Sequence, residues 1–409
     1  MAFRSRIAAL SFAAALAFAA PASAQSDGPV RLGLIDMYGG GFAFIADTIR
    51  TGFQIAVDEA NAAGGLNGRQ FELVTADMGT QVDKAVTEAR RMMLEQDIGF
   101  VTIGIHSGAA VAVGTLGKDL EALVIGGFAT TRRLTGEAGH KFVGRANLST
   151  IEIGRVIAEH LKTRPEIKTI ATIAPDYEYG QQFVGDFLEA LKEARPDIEV
   201  VRQEWPRFGA NDFAPHVTAL QARPVDMIVN AGFGADFINF LNAARDFGLF
   251  DDGTVLMTHA LDLTKPSVVK DTLPENTVAT VWYPFYAIDD EFSRAFAADV
   301  EKRMGTYATG SAPVGYVAGR MLTEAIVKAG STDPATVAAA MGGIEFDGPT
   351  GRVKVRGCDN MALYNFYVGK VSWDDSLPDG IGLTDVQSYH TEDLARSCED
   401  IAAARAAAN

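Results

Sequence analysis

The chain has 409 residues, with 36 Lys and Arg against 52 Asp and Glu, and so carries a net charge of −16. That sign of charge, spread without long blocks, argues against nucleic acid or an anionic membrane surface as a partner. The length allows two domains of ordinary size, and 48% hydrophobic residues allow each a core.

Arg4 and Arg6 precede residues 7–20, an almost wholly apolar run, and Ala22-Ser23-Ala24 follows as a small-x-small cleavage pattern. The run is about 14 residues, whereas a helix that spans a bilayer takes roughly 20. A leader over residues 1–24, cut after Ala24, is therefore expected, and its removal takes the charge from −16 to −18 by loss of Arg4 and Arg6. No Cys follows the run to carry a lipid anchor, so the mature protein is expected free in the periplasm. Cys358 and Cys398 are the two cysteines. In an oxidising compartment such a pair reads as a disulfide that ties down the tail.

Strand and helix patterns then alternate. Residues 31–35 read as a strand, followed by Gly39-Gly40-Gly41 and a helix with Ile45, Ile49, Phe53, Ala56, Val57 and Ala60 on one face. Gly64-Gly65 ends it, since glycine accepts the left-handed conformation beyond a helix C-terminus. A strand at 71–75, a helix with Val82, Ala85, Val86, Ala89, Met92 and Met93 inward, and strands at 99–103 and 123–126 complete a first set of four strands. The pattern restarts after residue 147. Strands at 169–173, 198–202, 225–229 and 254–257 alternate with helices near 181–193, 212–221 and 236–247. Short apolar strands between amphipathic helices imply parallel sheets covered on both faces, so an α/β chain of two three-layer lobes. From about Val278 come another strand, helices near 290–304 and 314–329, and a strand-rich end at 351–371, expected to complete both lobes.

Signatures of enzymes are missing. In Gly104-Ile105-His106-Ser107-Gly108 the serine stands fourth, not third as in G-x-S-x-G. The three glycines at 39–41 are not G-x-G-x-x-G, and no P-loop lysine follows a glycine-rich loop. The six histidines, His106, His140, His160, His216, His259 and His390, are widely separated, without metal-ligand spacing. Paired carboxylates such as Asp289-Asp290 read as solvated loop charge. No catalytic residue, metal or cofactor is expected.

Residues 51–69, TGFQIAVDEANAAGGLNGR, resemble the early helix and turn of branched-chain amino-acid-type ABC binding proteins, with Asn61, Gly64, Gly65, Gly68 and Arg69 at the family's places. Asp77 ends the next strand as in that family. Residues 124–131, VIGGFATT, with Leu134 and Thr135, are similar to another of its segments, and Asp176 with Tyr179-Gly180 to a third. The resemblance covers nearly the whole mature chain. It implies a type I periplasmic binding protein, a Venus flytrap of two Rossmann-like lobes joined by a three-strand hinge: 27–147 plus 281–347, and 148–280 plus 348–409. It implies an importer's permease and ATPase as partners, a small-molecule ligand, and reversible capture by hinge closure. A monomer is expected, since no coiled-coil heptads occur. A ligand-sensing module shares the fold and is the alternative role.

Ligands of such sheets sit beyond the carboxyl ends of strands, where helix N-termini favour an anion. By resemblance, Ser107 and the Ala129-Thr130 loop suit a carboxylate on lobe one, and Tyr38 and Phe42 form an apolar wall. Tyr179 and Phe233 face them from lobe two. Ser107 and Thr130 read equally well as helix caps, and Phe42 as core. Arg145 matches a hinge or inter-lobe arginine. Where the amino-acid binders place a Glu for the ligand's ammonium, this chain has Thr258-His259-Ala260-Leu261, with Asp262 the nearest acid. His259 thus joins the candidate site. A buried ammonium without a carboxylate is costly. An amine-free carboxylate with an apolar or aromatic body is expected, with an amino acid or amide held by Asp262 as the alternative.

Overall fold

The computed structural model describes residues 28–259, 261–377 and 380–408; the expected leader at 1–24 lies outside these residues. The first sheet contains β1 (Val30–Asp36), β2 (Phe71–Asp77), β3 (Phe100–Ile103), β4 (Leu123–Gly126) and β5 (Val143–Arg145). All are parallel, in the order β2-β1-β3-β4-β5. Helices α1 (Ala43–Ala62), α2 (Val82–Glu95) and α3 (Ser107–Asp119) are the crossovers. The apolar face predicted for α1 is buried at Ile45, Ile49, Phe53, Ala56 and Val57. After its end, Gly64 and Gly65 take φ of 105° and 61°. The sheet has five strands rather than the expected four because β5, three residues long, is too short to show a period.

The second lobe runs through α4 (Thr150–Lys162), β6 (Thr169–Ile173), α5 (Glu178–Ala194), β7 (Glu199–Glu204), α6 (Ala214–Gln221), β8 (Met227–Asn230), α7 (Gly234–Asp246), β9 (Val255–Thr258), α8 (Pro266–Val269) and β10 (Thr277–Val281). The chain then returns through α9 (Glu291–Met304), α10 (Ser311–Ala329) and α11 (Pro334–Met341). Helix α10 packs on α1 at backbone contact: a Cβ on Gly52 would lie 1.9 Å from the Ala312 carbonyl oxygen, and one on Gly315 2.0 Å from that of Ile49. A small antiparallel sheet follows, of β11 (Glu345–Gly348), β12 (Gly351–Val355) and β13 (Ala362–Leu363). Its end reaches β5, where Arg145 pairs with Met361 and the Arg145 N–H donates to the Asn360 carbonyl at 3.0 Å. Finally β14 (Asn365–Trp373) and β15 (Ile381–His390) join the second sheet antiparallel, giving β15-β14-β10-β9-β8-β6-β7.

The chain passes between lobes beside Asn147, Trp282 and Tyr364. The Asn147 side-chain oxygen accepts from Trp282 Nε1 at 2.7 Å and from the Tyr364 hydroxyl at 3.0 Å. All three residues are buried. One amide thus binds the three passages together. The tail ends in α12 (Cys398–Ala408), held by the Cys358–Cys398 disulfide with a Cα–Cα distance of 5.9 Å. Arg405 on α12 donates to the Thr135 carbonyl at 2.8 Å, so the tail rests on the loop after β4.

Asp36 anchors the end of β1. Its Oδ1 accepts from the Met37 and Ile105 N–H groups at 2.9 and 3.1 Å, and its Oδ2 is buried without a partner. Gly104 lies against it: a Cβ there would meet Oδ2 at 1.8 Å. Burial, its largest influence, pushes the carboxyl up to about 7.

Asn147→Ala leaves the buried Trp282 Nε1–H unpaired, while the Tyr364 hydroxyl keeps the Ala146 carbonyl at 3.1 Å. A loss of about 1–3 kcal/mol is expected in urea unfolding. Between about pH 4 and 7 the unfolded chain ionises Asp36 while the fold keeps it protonated, so wild-type stability falls there as pH rises. Asp36→Asn removes that dependence. Its stability relative to wild type should climb by up to about 4 kcal/mol from pH 4 to 7 and then level, measured by urea unfolding at each pH. The disulfide joins residues 40 apart, and a Cys358→Ser/Cys398→Ser chain should lose up to about 4 kcal/mol by the loop-entropy argument. Thermal melts of that chain and of the oxidised protein check it.

Candidate functional site

Every parallel strand near the lobe boundary ends beside the same cleft. From lobe one, β3 leads into Ile105, and β4 into Phe128 and Thr130; these line a small pocket. From lobe two, β6 leads into Tyr177 and Tyr179, β8 into Phe233, and β9 into His259 and Leu263. Trp282, just after β10, closes it from the hinge side. The free space is ≈ 20 Å³, room for about one water molecule. The lobes are drawn together here.

Aromatic rings make the seam. Phe42 of lobe one stacks on Phe208 of lobe two at 5.0 Å between centroids and meets Phe233 at 5.6 Å. His106 of lobe one meets Tyr177 at 5.1 Å and Phe208 at 5.8 Å. Tyr177 in turn stacks on Phe208 at 4.5 Å. Trp282 joins the two halves, 4.7 Å from Phe128 and 6.1 Å from His259. Offset and edge-on pairs of this kind each add about 0.5–1.5 kcal/mol beyond the area they bury.

Polar groups in the pocket are few. The Tyr179 hydroxyl bonds to His259 Nε2 and lies 3.1 Å from the Ala231 carbonyl oxygen. Burial lowers His259 to about 3, so its ring is neutral at physiological pH, and burial raises the Tyr177 and Tyr179 hydroxyls well above their usual range. Thr130 is the polar residue of the lobe-one wall. None of the nine lining side chains is charged at neutral pH.

Charge stands behind the walls. Buried Arg145 donates to the carbonyls of Thr130, at 3.4 Å, and of Thr131. Burial lowers it to about 10, which leaves it cationic. Asp236 accepts from the Gly209 N–H at 3.1 Å and so fixes the Phe208 loop; burial lifts it to about 6. Asp262 accepts from the Trp282 and Tyr283 N–H groups at 2.6 and 3.1 Å, and burial pushes it up to about 7. At the rim the lobes are bridged by ions. Glu178 accepts from the Thr131 hydroxyl at 2.7 Å and Arg133 at 2.8 Å, while Asp186 accepts from Arg132 and the Thr150 hydroxyl, each at 2.5 Å.

Of the residues singled out from sequence, Thr130, Tyr179, Phe233 and His259 line the pocket together. Phe42 packs one ring behind, against Phe233. Ser107 is buried at the start of α3, and its Oγ accepts from the Thr131 N–H at 3.3 Å, which holds the Thr130 loop. Ala129 is buried in that loop behind the wall. Tyr38 stands apart: its N–H donates to Asp77 at 3.0 Å, and its hydroxyl is buried without a partner. Sequence reasoning passed over Tyr177, Phe128, Leu263, Phe208 and His106. The signal was present for most of them, since Tyr177 follows β6 at the same sheet edge as Tyr179, Phe128 follows β4 and Leu263 follows β9.

Comparisons with known proteins agree with this architecture. Similarity at 28% identity over 353 residues, covering 83% of this chain and 86% of the relative, links it to "Leu/Ile/Val-binding protein homolog 7" of Brucella melitensis. A solute-binding protein of an ABC transporter from Rhodopseudomonas palustris, solved with 3,4-dihydroxybenzoic acid, superposes with a TM-score of 0.78 at 19% identity, covering 90% of this chain and 98% of that one. A branched-chain amino acid transporter substrate-binding protein from Streptococcus pneumoniae, solved with isoleucine, gives a TM-score of 0.74 at 18% identity, over 88% of this chain and 99% of that one. The family model described as periplasmic binding protein matches residues 29–376, and the chain belongs to that family.

Proposed function

We propose that this protein is the periplasmic solute-binding component of an ABC importer, and that its ligand is an aromatic carboxylate. The observation that carries the ligand class is the pocket wall: aromatic on both lobes and at the hinge, with no charged side chain. An aromatic body replaces ring–ring contacts of the seam with ring–ligand contacts. Its carboxylate is held by the Thr130 hydroxyl near the amino end of α3, whose dipole favours an anion. The R. palustris complex with an aromatic acid supports the same reading by likeness of fold.

The competing ligand is an α-amino acid, as the names of the Brucella and Streptococcus proteins suggest. One observation favours it: Asp262 Oδ1 is buried without a partner. Against it, Asp262 does not line the pocket, and its other oxygen is committed to two backbone N–H groups. Capture is reversible and non-covalent, without catalysis or cofactor, and the closed form docks on an inner-membrane permease and ATPase. The protein acts as a monomer, exported by the leader at 1–24. For the lobe boundaries we keep 147/148 and 280/281. We draw the third at Tyr364 rather than 347/348, because β12 and β13 adjoin β5.

Thermal melts of the protein, unfolded and refolded to strip it, test this against benzoates, aliphatic acids and α-amino acids. A hundredfold excess over Kd should stabilise by about 2.7 kcal/mol, several degrees in Tm. Benzoates are expected to give that shift and to change Trp282 fluorescence, with amino acids inert. A shift from amino acids alone overturns the ligand class. A flat response throughout weakens the import reading.

A further inference from the structure

We infer that the Tyr179–His259 pair reads a hydrogen-bond donor on the ligand, so that the pocket selects a hydroxylated aromatic carboxylate over the unsubstituted acid. The inference rests on the aromatic-carboxylate reading above and deepens it.

His259 is buried, its ring stacked on Phe183 at 5.0 Å and 25° and set edge-on to Trp282, so its orientation is fixed by packing. A neutral imidazole has one N–H and one lone pair. The Tyr179 hydroxyl, bonded to His259 Nε2 and 3.1 Å from the Ala231 carbonyl oxygen, has a single proton. With the ring proton on Nε2, His259 donates to the Tyr179 oxygen and the hydroxyl proton goes to Ala231; with Nε2 bare, His259 and Ala231 compete for that proton. In either tautomer nothing is left for the ligand. Toward the pocket the Tyr179 oxygen offers lone pairs alone.

That polarity decides which ligand atom can rest against it. A ring hydroxyl donates its proton to the Tyr179 oxygen and completes its hydrogen bonding. A bare C–H leaves a buried acceptor without a donor, and an ether or second carboxylate sets lone pair against lone pair. Sites built to bond a hydroxyl reject analogues without it far more strongly than apolar pockets reject a missing methylene. The pair also fixes polarity along the pocket, because a carboxylate is repelled at the lobe-two end and is left the Thr130 side.

The test is a set of dissociation constants for benzoate, the three monohydroxybenzoates and their methyl ethers, by calorimetry on purified wild-type protein and on Tyr179→Phe. In wild type, one hydroxybenzoate is expected to bind about tenfold or more tighter than benzoate, and its methyl ether more weakly than benzoate. In Tyr179→Phe that gap should shrink to about twofold, with a cooperative thermal melt and far-UV circular dichroism as proof of folding. Equal binding of benzoate and all hydroxybenzoates by wild type overturns the inference and leaves the aromatic-carboxylate reading intact; so does a gap that survives in Tyr179→Phe. If the variant does not fold, the wild-type contrast between hydroxyl and methyl ether decides alone. Failure of every aromatic acid to bind removes both readings.

Discussion

Two lobes can close on a ligand only if the three passages between them move as one, and a single side-chain oxygen joins them. Asn147 Oδ1 receives Trp282 from the second passage and Tyr364 from the third, while its amide nitrogen donates to the Phe128 carbonyl at 3.2 Å. The Tyr364 hydroxyl also lies 3.1 Å from the Ala146 carbonyl oxygen. In a dry interior each of these bonds is costly to leave unmade. The hub therefore behaves as one unit, and bending is left to the residues on either side. It is also the floor of the pocket, since Phe128 and Trp282 are lining residues in ring contact at 4.7 Å. A ligand pressing on Trp282 pushes on the joint itself.

Closure is then set by two kinds of contact of different range. Of the ion bridges at the rim, Arg133 to Glu178 is open to solvent and weakened by salt, while Arg132 to Asp186, whose carboxylate is buried, is screened less. Arg133 is well exposed, and such a pair contributes little on its own. The Phe42, Phe208, Phe233 and Tyr177 rings act only at contact, but each interdigitates with a ring of the other lobe or of the same wall. Long-range attraction brings the lobes near, and the seam decides whether they stay. Most of the selectivity therefore belongs to the seam.

The alternation of short apolar strands with amphipathic helices was enough to place both sheets and the edge at which a site forms. It was enough for α1, whose inward face is buried at Ile45, Ile49, Phe53, Ala56 and Val57, with Ala60 half-buried at its end. It missed β5, because three residues show no period, and it could not foresee that β12 and β13 lie beside lobe one, since antiparallel pairing near a chain's end follows no crossover rule. At the site, Thr130, Tyr179, Phe233 and His259 were legible as residues just past strand ends. Phe208 was not, although it too follows a strand, because β7 is at the sheet edge and half exposed, and its tip enters the cleft only through the Asp236–Gly209 bond. Tyr38 shows the opposite error: it follows β1, yet its main-chain bond to Asp77 turns it along the neighbouring strand. Position after a strand is needed for a site residue and does not suffice.

The buried charges explain why so apolar a pocket is well shaped. Arg145, Asp36, Asp236 and Asp262 each hold a loop by its backbone: Thr130–Thr131, Ile105, Gly209, and Trp282–Tyr283. Backbone groups do not change with sequence, so these fastenings are indifferent to which side chains face the cleft. Raised carboxyl pKa values are the thermodynamic mark of the arrangement, since the fold tolerates each acid best in its neutral form. Side chains on the pocket wall are thereby freed from holding the loops in place. A change at Phe233 or Tyr179 alters what the cleft accepts, while the loops that present them stay where the charges behind them have set them.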